Sequence, residues 1–566
     1  MKMVKFSEIE YQRPDMEGFK NAMEDAAAKI RDAESYQVVR DVYYAVQERQ
    51  QAVETMFTLA YVRNTINMKD EFYDAEIKFL QEENAKMIPQ YNVYEKALTQ
   101  SKFRPEFEAE FGSQLLRKLD ASLMTSDEKI VNETIRCDQL CQEYSKTAAG
   151  AVTDFRGEEC NFYGLLKHMQ STDRAERKEA FEAWAALYEK ISPELEAQYG
   201  EMVKLRNEMA LKMGFKNYTE MAYVDRNRFD YTQEDAAKFR KQVREIITPA
   251  VAKIRKAQQE KLGVDKLYFY DEELVFPDGN AAPIGTAKEL VDKAQKMYRE
   301  MSAETGEFFD FMKEYELFDL ETRPGKHLGG YMTAMPEFKA PFIFSNFNGT
   351  SADVDVLTHE AGHAFQGYLA MRSIEVNDLR GSTAEINEIH SMSMEHFAYP
   401  WMELFFGEKT EKYTTAHLMS ALCVIPYLVS VDEFQHEVYA HPEYTADDWK
   451  RVWHEIEQIY MPWRDYDGNE FLEAGGFWMQ KQHIFLYPFY YIEYAMSQIC
   501  AFQYYGRMKE DRKAAWEDYL RLCRAGGTVG YFELLKIGNL LSPFEEGTVE
   551  KSTAHVIEEL SERYMA

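Results

Sequence analysis

From Gly18 to Thr248 the chain carries only three prolines, Pro89, Pro105 and Pro193, and few glycines. Runs this long without breakers favour helices. Val39, Val42, Val46, Val53 and Phe57 recur at helical spacing among charged residues, which predicts an amphipathic element with one buried face. The stretches 19–65, 67–98, 113–148, 172–213 and 233–261 read the same way, so the first half is expected to be a helical array. Between Gly263 and Gly285 the texture changes. Leu267-Tyr268-Phe269-Tyr270-Asp271 reads as a strand, and Pro277, Asp278, Gly279 and Pro283 read as turns. This divides an N-terminal helical region, 1–262, from a second region, 263–566, with interleaved lobes. A long helix is expected from about Thr286 to Glu314. More strand is expected in the glycine-bearing stretch from Pro324 to Met332, paired with Phe342 to Phe347 as a small sheet.

The second region contains His359-Glu360-Ala361-Gly362-His363. On a helix, His359 and His363 leave one face about a turn apart and can close on a single metal ion. Zn²⁺ suits this donor set, because it takes neutral imidazole nitrogen and carboxylate oxygen and tolerates an open position for water. Phe342 to Phe347 is rich in strand formers, Asn348-Gly349 signals a turn, and Thr350 with Asp353 predicts a capping box that starts the helix just before Val354. A strand beside that helix can offer a free backbone edge to an extended peptide, or be fully paired.

A third protein ligand is needed. The metzincin pattern asks for Gly and His three and six residues after the second histidine, where Gln366 and Leu369 stand, so that class is excluded. A thermolysin-like ligand would lie about 24 residues after the first histidine, at Thr383. Glu388, 25 residues after His363 in a second helical segment, is the expected ligand. Asp355 and Glu385 each lie one turn before an expected ligand; orienting those ligands and plain solvated helix charge explain them equally. His417, His436 and His441 are given no role.

A second informative stretch runs from Gln482 to Tyr494. If it is helical from about Pro488, Tyr487, Tyr491 and Tyr494 fall near one face, with Tyr490 beside Tyr494. Such phenols and the nearby His483 could donate to an oxyanion, or pack as an aromatic core helix; the residues alone leave both open. The glycines at 526, 527 and 530 predict a flexible turn, serving as a cleft hinge or a plain interhelical loop.

The HEAGHAFQ string (His359 to Gln366), the interval to Glu388 with Ser391 three residues on, and the His483 and tyrosine cluster resemble the zinc oligopeptidases related to thimet oligopeptidase and oligoendopeptidase F. The likeness is nearest to the bacterial oligoendopeptidase F-like branch that includes the Pz-peptidases. The resemblance covers most of the chain. It implies a mainly α fold, a large multi-helix zincin with a small sheet beside the active-site helix and a deep cleft between two lobes. It implies an intracellular zinc endopeptidase for short peptides. It also implies that His483, Tyr491 and Tyr494 face the metal, with Tyr490 or Tyr487 as substitutes for Tyr491.

The expected mechanism follows. One Zn²⁺ per chain, held by His359, His363 and Glu388, activates water; Glu360 projects about 100° away around the helix and acts as the base. His483 and a tyrosine among Tyr490, Tyr491 and Tyr494 stabilise the oxyanion. Two rivals are a dipeptidyl carboxypeptidase, which needs a cation to hold the free terminus, and a catalytically inactive helical peptide-binding protein.

A net charge of −31 argues against nucleic acid or an anionic membrane as partner. Six cysteines without a CxxC pair predict reduced thiols in a cytoplasmic protein. The N-terminus shows no apolar signal segment, and the most apolar stretch, Leu418 to Val431, is too short to span a bilayer and is broken by Pro426. Oligomeric state is not legible.

Overall fold

The three prolines of the first half fall where helices tolerate them or are long enough to absorb one. The computed structural model describes residues 3–323, 325–327 and 329–565. In it Pro89 and Pro105 sit in the first turns of helices Ile88–Thr99 and Arg104–Phe111, where their missing N–H groups cost nothing. Pro193 lies inside the longest helix, Arg174–Met213, which starts at an Asp173 cap and stops at Gly214 with φ 92°. The remaining expected helical runs are divided by short caps. Met16–Arg31 begins where Asp15 accepts the Gly18 N–H, and Glu71–Lys86 where Asp70 accepts from Phe72 and Tyr73.

Two expectations on this half are corrected. Leu267 to Asp271 is not a strand: Phe269–Asp271 is a 3₁₀ turn. Asp271 accepts the Tyr268 N–H at 3.1 Å and is gripped in the interior by Arg174 and Arg177, so its carboxylate draws the chain into a turn. Thr286 to Glu314 is two helices, Ala287–Met301 and Ala303–Glu314. Ser302 divides them, its hydroxyl accepting the Thr305 N–H at 3.1 Å.

Five strands are present among the described residues. β1 (Thr153–Phe155) and β2 (Glu158–Cys160) form an unforeseen hairpin. β3 (Phe318–Glu321), β4 (Tyr331–Met335) and β5 (Ala340–Phe347) form a sheet in the order β3-β5-β4. β4 pairs antiparallel to β5, with Tyr331 opposite Phe344, as the sequence predicted, although Pro324 and Leu328 of the expected stretch lie outside the described residues. β3, which was not expected, pairs parallel to β5, with Phe318 opposite Ile343. β5 therefore has no free edge; that edge passes to β4. Its nearly unbroken apolar run, Phe342 to Phe344 at 0% exposure, reflects burial on both faces.

One apolar core runs from Phe6 to Tyr564 and is filled by large rings such as Trp453 and Trp478. Truncating either ring would cost about 3–5 kcal/mol. A second core joins the helices between Met16 and Leu119 and receives Val376 and Leu379 from the second half of the chain. The run Glu403–Ala440 is longer than the expected apolar stretch and has the length and hydropathy to cross a membrane, but 83% of its most apolar window is buried inside the protein. It breaks into helices Glu403–Phe406, Thr410–Cys423 and Ile425–Ala440.

Candidate active site

Strand β5 leads through a turn at Gly349, φ 87°, into helix α1 (Ala352–Ser373). The cap differs from the predicted box. Asp353 accepts the N–H groups of Asn348 and Gly349 at 2.9 and 2.8 Å, while the Thr350 hydroxyl turns back to Asn348 Oδ1 at 2.7 Å. The helix begins at Ala352, just before Val354 as expected. His359 and His363 project from it with ring centroids 5.0 Å apart.

Helix α2 (Ala384–Phe397) crosses α1 at Gly362. A Cβ at 362 would stand 2.6 Å from His390 O and 2.7 Å from the Ser391 Cα, so only glycine permits this approach. The crossing brings Glu388 Oε2 to 3.2 Å from His359 Nε2 and 3.3 Å from His363 Nε2. Donors bound tetrahedrally to one Zn²⁺ at ordinary bond lengths stand about 3.4 Å apart, so the three fit that ion. Ser391 Oγ donates to Glu388 Oε2 at 2.9 Å and Tyr490 OH to Glu388 Oε1 at 2.5 Å, which fixes the carboxylate. Glu158, Cys160 and His168 also bring three donor atoms together, but Glu158 is exposed and His168 Nδ1 is engaged by Glu176 at 2.6 Å.

Outside the donors a chain of hydrogen bonds orients His359. Its Nδ1 meets Glu395 Oε1 at 2.7 Å, Glu395 Oε2 meets His417 Nε2 at 2.8 Å, and His417 Nδ1 meets Tyr399 OH at 2.6 Å. Sequence reasoning missed Glu395 and gave His417 no role. The signal existed: Glu395 is seven residues after Glu388, two turns along the same face of α2. Asp355 does not reach a donor histidine; it accepts from Tyr413 OH at 2.6 Å. Glu385 is buried in the first turn of α2, with no well-formed hydrogen bond to either carboxylate oxygen.

The buried carboxylates and histidines of the site stabilise one another's charged forms. Burial pushes the Glu388 carboxyl up, but His363 and His359 outweigh it and hold it well below the usual range. Burial likewise opposes the charged form of Glu395, and His359 and His417 overcome it, bringing the group to about 2. Burial lowers His359, yet Glu388 and Glu395 raise it well above an ordinary imidazole. A cation held between these groups would take the place of the protons that the histidines otherwise keep. Glu360 is 6% exposed with Oε2 unpartnered, and burial raises its carboxyl despite the two histidines. Gly330, at the entry to β4, lies beside it: a Cβ there would stand 3.7 Å from Glu360 Oε1, in ordinary contact, and 3.0 Å from Val356 Cγ1.

The aromatic cluster is assembled differently from the expectation. Helix α3 (Tyr491–Glu510) starts at Tyr491, and Phe489 before it has φ 63°. Tyr487 therefore lies outside the helix and, at 51% exposure, does not share a helix face with Tyr491 and Tyr494. His483, in the short helix Gln482–Leu486, has its ring 4.8 Å from Tyr491, 5.8 Å from Tyr490 and 5.9 Å from Tyr494. Burial, then the nearby Lys481, lowers His483 to about 3, so the ring is neutral and its buried Nδ1 is unpartnered. Arg226 lies 4.8 Å over the Tyr490 ring and is held by Glu493.

Tyr491 also borders a cavity of about 470 Å³ lined from both halves of the chain, by Tyr144, Tyr163 and Tyr188 of the first and Tyr427 and Lys481 of the second. The expected flexible glycine turn is a locked contact. Gly527 N–H donates to Leu379 O at 2.8 Å, and a Cβ at 527 would fall 2.2 Å from Gly381 O.

Two imidazoles and a carboxylate converging beside an unpaired glutamate, near a cavity that Tyr491 borders, fit the metallopeptidase that the family match defines. The chain belongs to peptidase family M3: the Peptidase family M3 pattern matches residues 167–551 and the Peptidase M3 N-terminal domain matches residues 6–126. No curated protein sequence matches. Among solved structures the chain is similar to a protein assigned as oligoendopeptidase F and to Pz peptidase A solved with an inhibitor. Each has 44% identity, a TM-score of 0.96 and 99% coverage of both chains. An assigned oligoendopeptidase F from Bacillus anthracis str. Ames is 40% identical, with a TM-score of 0.92 and 99% coverage of both chains.

Proposed function

We propose that the protein is a zinc endopeptidase that hydrolyses internal bonds of short peptides. The observation that carries this is the convergence of His359, His363 and Glu388 beside the unpartnered Glu360. Those three residues would hold one Zn²⁺ per chain. When bound, the ion supplies a Lewis acid and lowers the pKa of water toward neutrality.

Glu360 takes the proton of the attacking water and passes one to the leaving amine; its raised affinity for protons suits both steps. Neutral His483 and a phenol of the cluster donate to the carbonyl oxygen as it gains charge, an effect worth about 3–4 kcal/mol for a well-placed donor. Of the three tyrosines, Tyr491 and Tyr494 are assigned this role, because Tyr490 is bonded to Glu388. Among the described residues β4 is an edge strand of the sheet and begins one residue after Gly330, which lies beside Glu360; such an edge suits an extended main chain and favours broad side-chain tolerance. The division at 262/263 belongs to the same reading: the first region supplies one wall of the cavity and the second the donors. Six unpaired cysteines agree with a cytoplasmic location.

Metal analysis combined with cleavage of a fluorogenic peptide blocked at both ends tests the proposal. One zinc per chain is expected, with internal cleavage that a chelator abolishes and zinc restores. Turnover indifferent to the chelator would end the zinc reading. Cleavage only of peptides with a free terminus would replace the endopeptidase by a dipeptidyl carboxypeptidase. Stoichiometric zinc without turnover of any peptide would leave a binding protein.

A further inference from the structure

Four lysine and arginine side chains line the cavity beside Tyr491. Three are committed to carboxylates of the protein. Arg255 and Arg464 meet Glu272 at 3.3 and 3.0 Å, and Lys326 meets Asp319 at 2.6 Å. Lys481 is different: among the described residues it forms no ion pair. Its ammonium stands 4.9 Å over the Tyr491 ring and 5.6 Å from the Tyr427 ring, two faces that attract a cation without neutralising it.

The position of this charge is informative. Lys481 precedes His483 by two residues, and its field reaches that ring, helping to lower its proton affinity. In a chain with 97 acidic and 66 basic residues, carboxylate partners are plentiful, yet none comes to Lys481. Glu273, which lines the same cavity, also forms no ion pair among the described residues. A partly buried ammonium facing a cavity gains most from an anion that arrives with a ligand, because the cavity's low-dielectric walls weaken screening by water.

We propose that Lys481 is a binding site for a carboxylate of the peptide, either its free C-terminus or an acidic side chain, held in the cavity beside Tyr491. The inference rests on the peptidase reading above and adds a preference within it. Tyr491 links the subsite to the cluster around His483, so a peptide anchored there extends toward the donors on α1 and α2.

The test uses the zinc-loaded enzyme and one peptide sequence in four forms: free or amidated at the C-terminus, each with or without one internal glutamate. Lys481→Met keeps the apolar stem and removes the charge. KM should rise about tenfold for forms carrying the recognised carboxylate, the worth of one charge-assisted hydrogen bond, with kcat and the neutral amidated form unchanged. Loss confined to free-acid forms identifies the terminus, and loss confined to glutamate forms identifies a side chain. Lys481→Arg should restore most of the affinity. An equal change on all four forms, or no change on any, overturns the proposal and would reduce Lys481 to a support for Tyr491. Failure of the wild type to cut any form would instead refute the peptidase reading.

Discussion

Tyr490 donates a hydrogen bond from its hydroxyl to Glu388 Oε1 at 2.5 Å, while the other carboxylate oxygen of Glu388 faces both histidines. The tyrosine thereby aims the carboxylate and is itself held from behind by Arg226. Tyr490→Phe should weaken zinc binding by about tenfold or more, the usual effect of losing a partner of a metal ligand, with kcat near wild type once zinc is saturating. Competition with a chromophoric chelator measures the first quantity and steady-state kinetics the second. Unchanged affinity with a collapsed kcat would make Tyr490 the oxyanion donor.

Glu360→Gln keeps the shape of the side chain and removes its basicity. Zinc content should stay at the wild-type level while kcat falls by about 10²–10⁴. Full turnover in this variant, with metal bound, would show that another group takes the proton.

His359 depends on Glu395 for its orientation. Glu395→Gln removes the negative charge at Nδ1 and should speed zinc loss from the protein by roughly tenfold or more. Stopped-flow transfer of the ion to a chelator reads this directly. A dissociation rate equal to wild type would mean that packing alone fixes the ring.

Glu385 carries a pH signature. Burial, reinforced by Glu493, raises its carboxyl to about 7 from the ordinary 4.5. Because the folded chain holds this proton more tightly than the unfolded chain, the associated stability is full below pH 4.5 and drains away as pH rises through about 7. Between pH 5.5 and 8.5 the loss is about 2 kcal/mol. Glu385→Gln has no such proton to lose, so its urea-unfolding free energy should gain on wild type by that amount over the interval. A constant gap between the two proteins would contradict the assignment.

The convergence of His359, His363 and Glu388 could be read from the chain because helix periodicity converts spacing directly into geometry: it needs only two helices and a crossing. Glu395 obeyed the same rule and was overlooked because nothing local distinguishes it from a solvated helix charge. The Tyr487 register failed for another reason. Phe489 adopts a positive φ, and the sequence around it has no glycine or asparagine to announce that break. The misread strand at Leu267–Asp271 turned on ion pairs of Asp271 with Arg174 and Arg177, 97 and 94 residues away, which no local pattern encodes.

The contact at Gly362 has a bearing on which ions can lodge here. To admit a methyl group, the backbone of α2 would have to retreat from 2.6 Å toward the ordinary 3.4 Å, carrying Glu388 with it. Zn²⁺ bonds its oxygen and nitrogen donors at about 2.0–2.2 Å, whereas Ca²⁺ prefers about 2.3–2.6 Å. The spacing of the three donor atoms, and with it the radius of ion they would accept, is thus set by how closely two backbones can lie when one residue contributes no side chain.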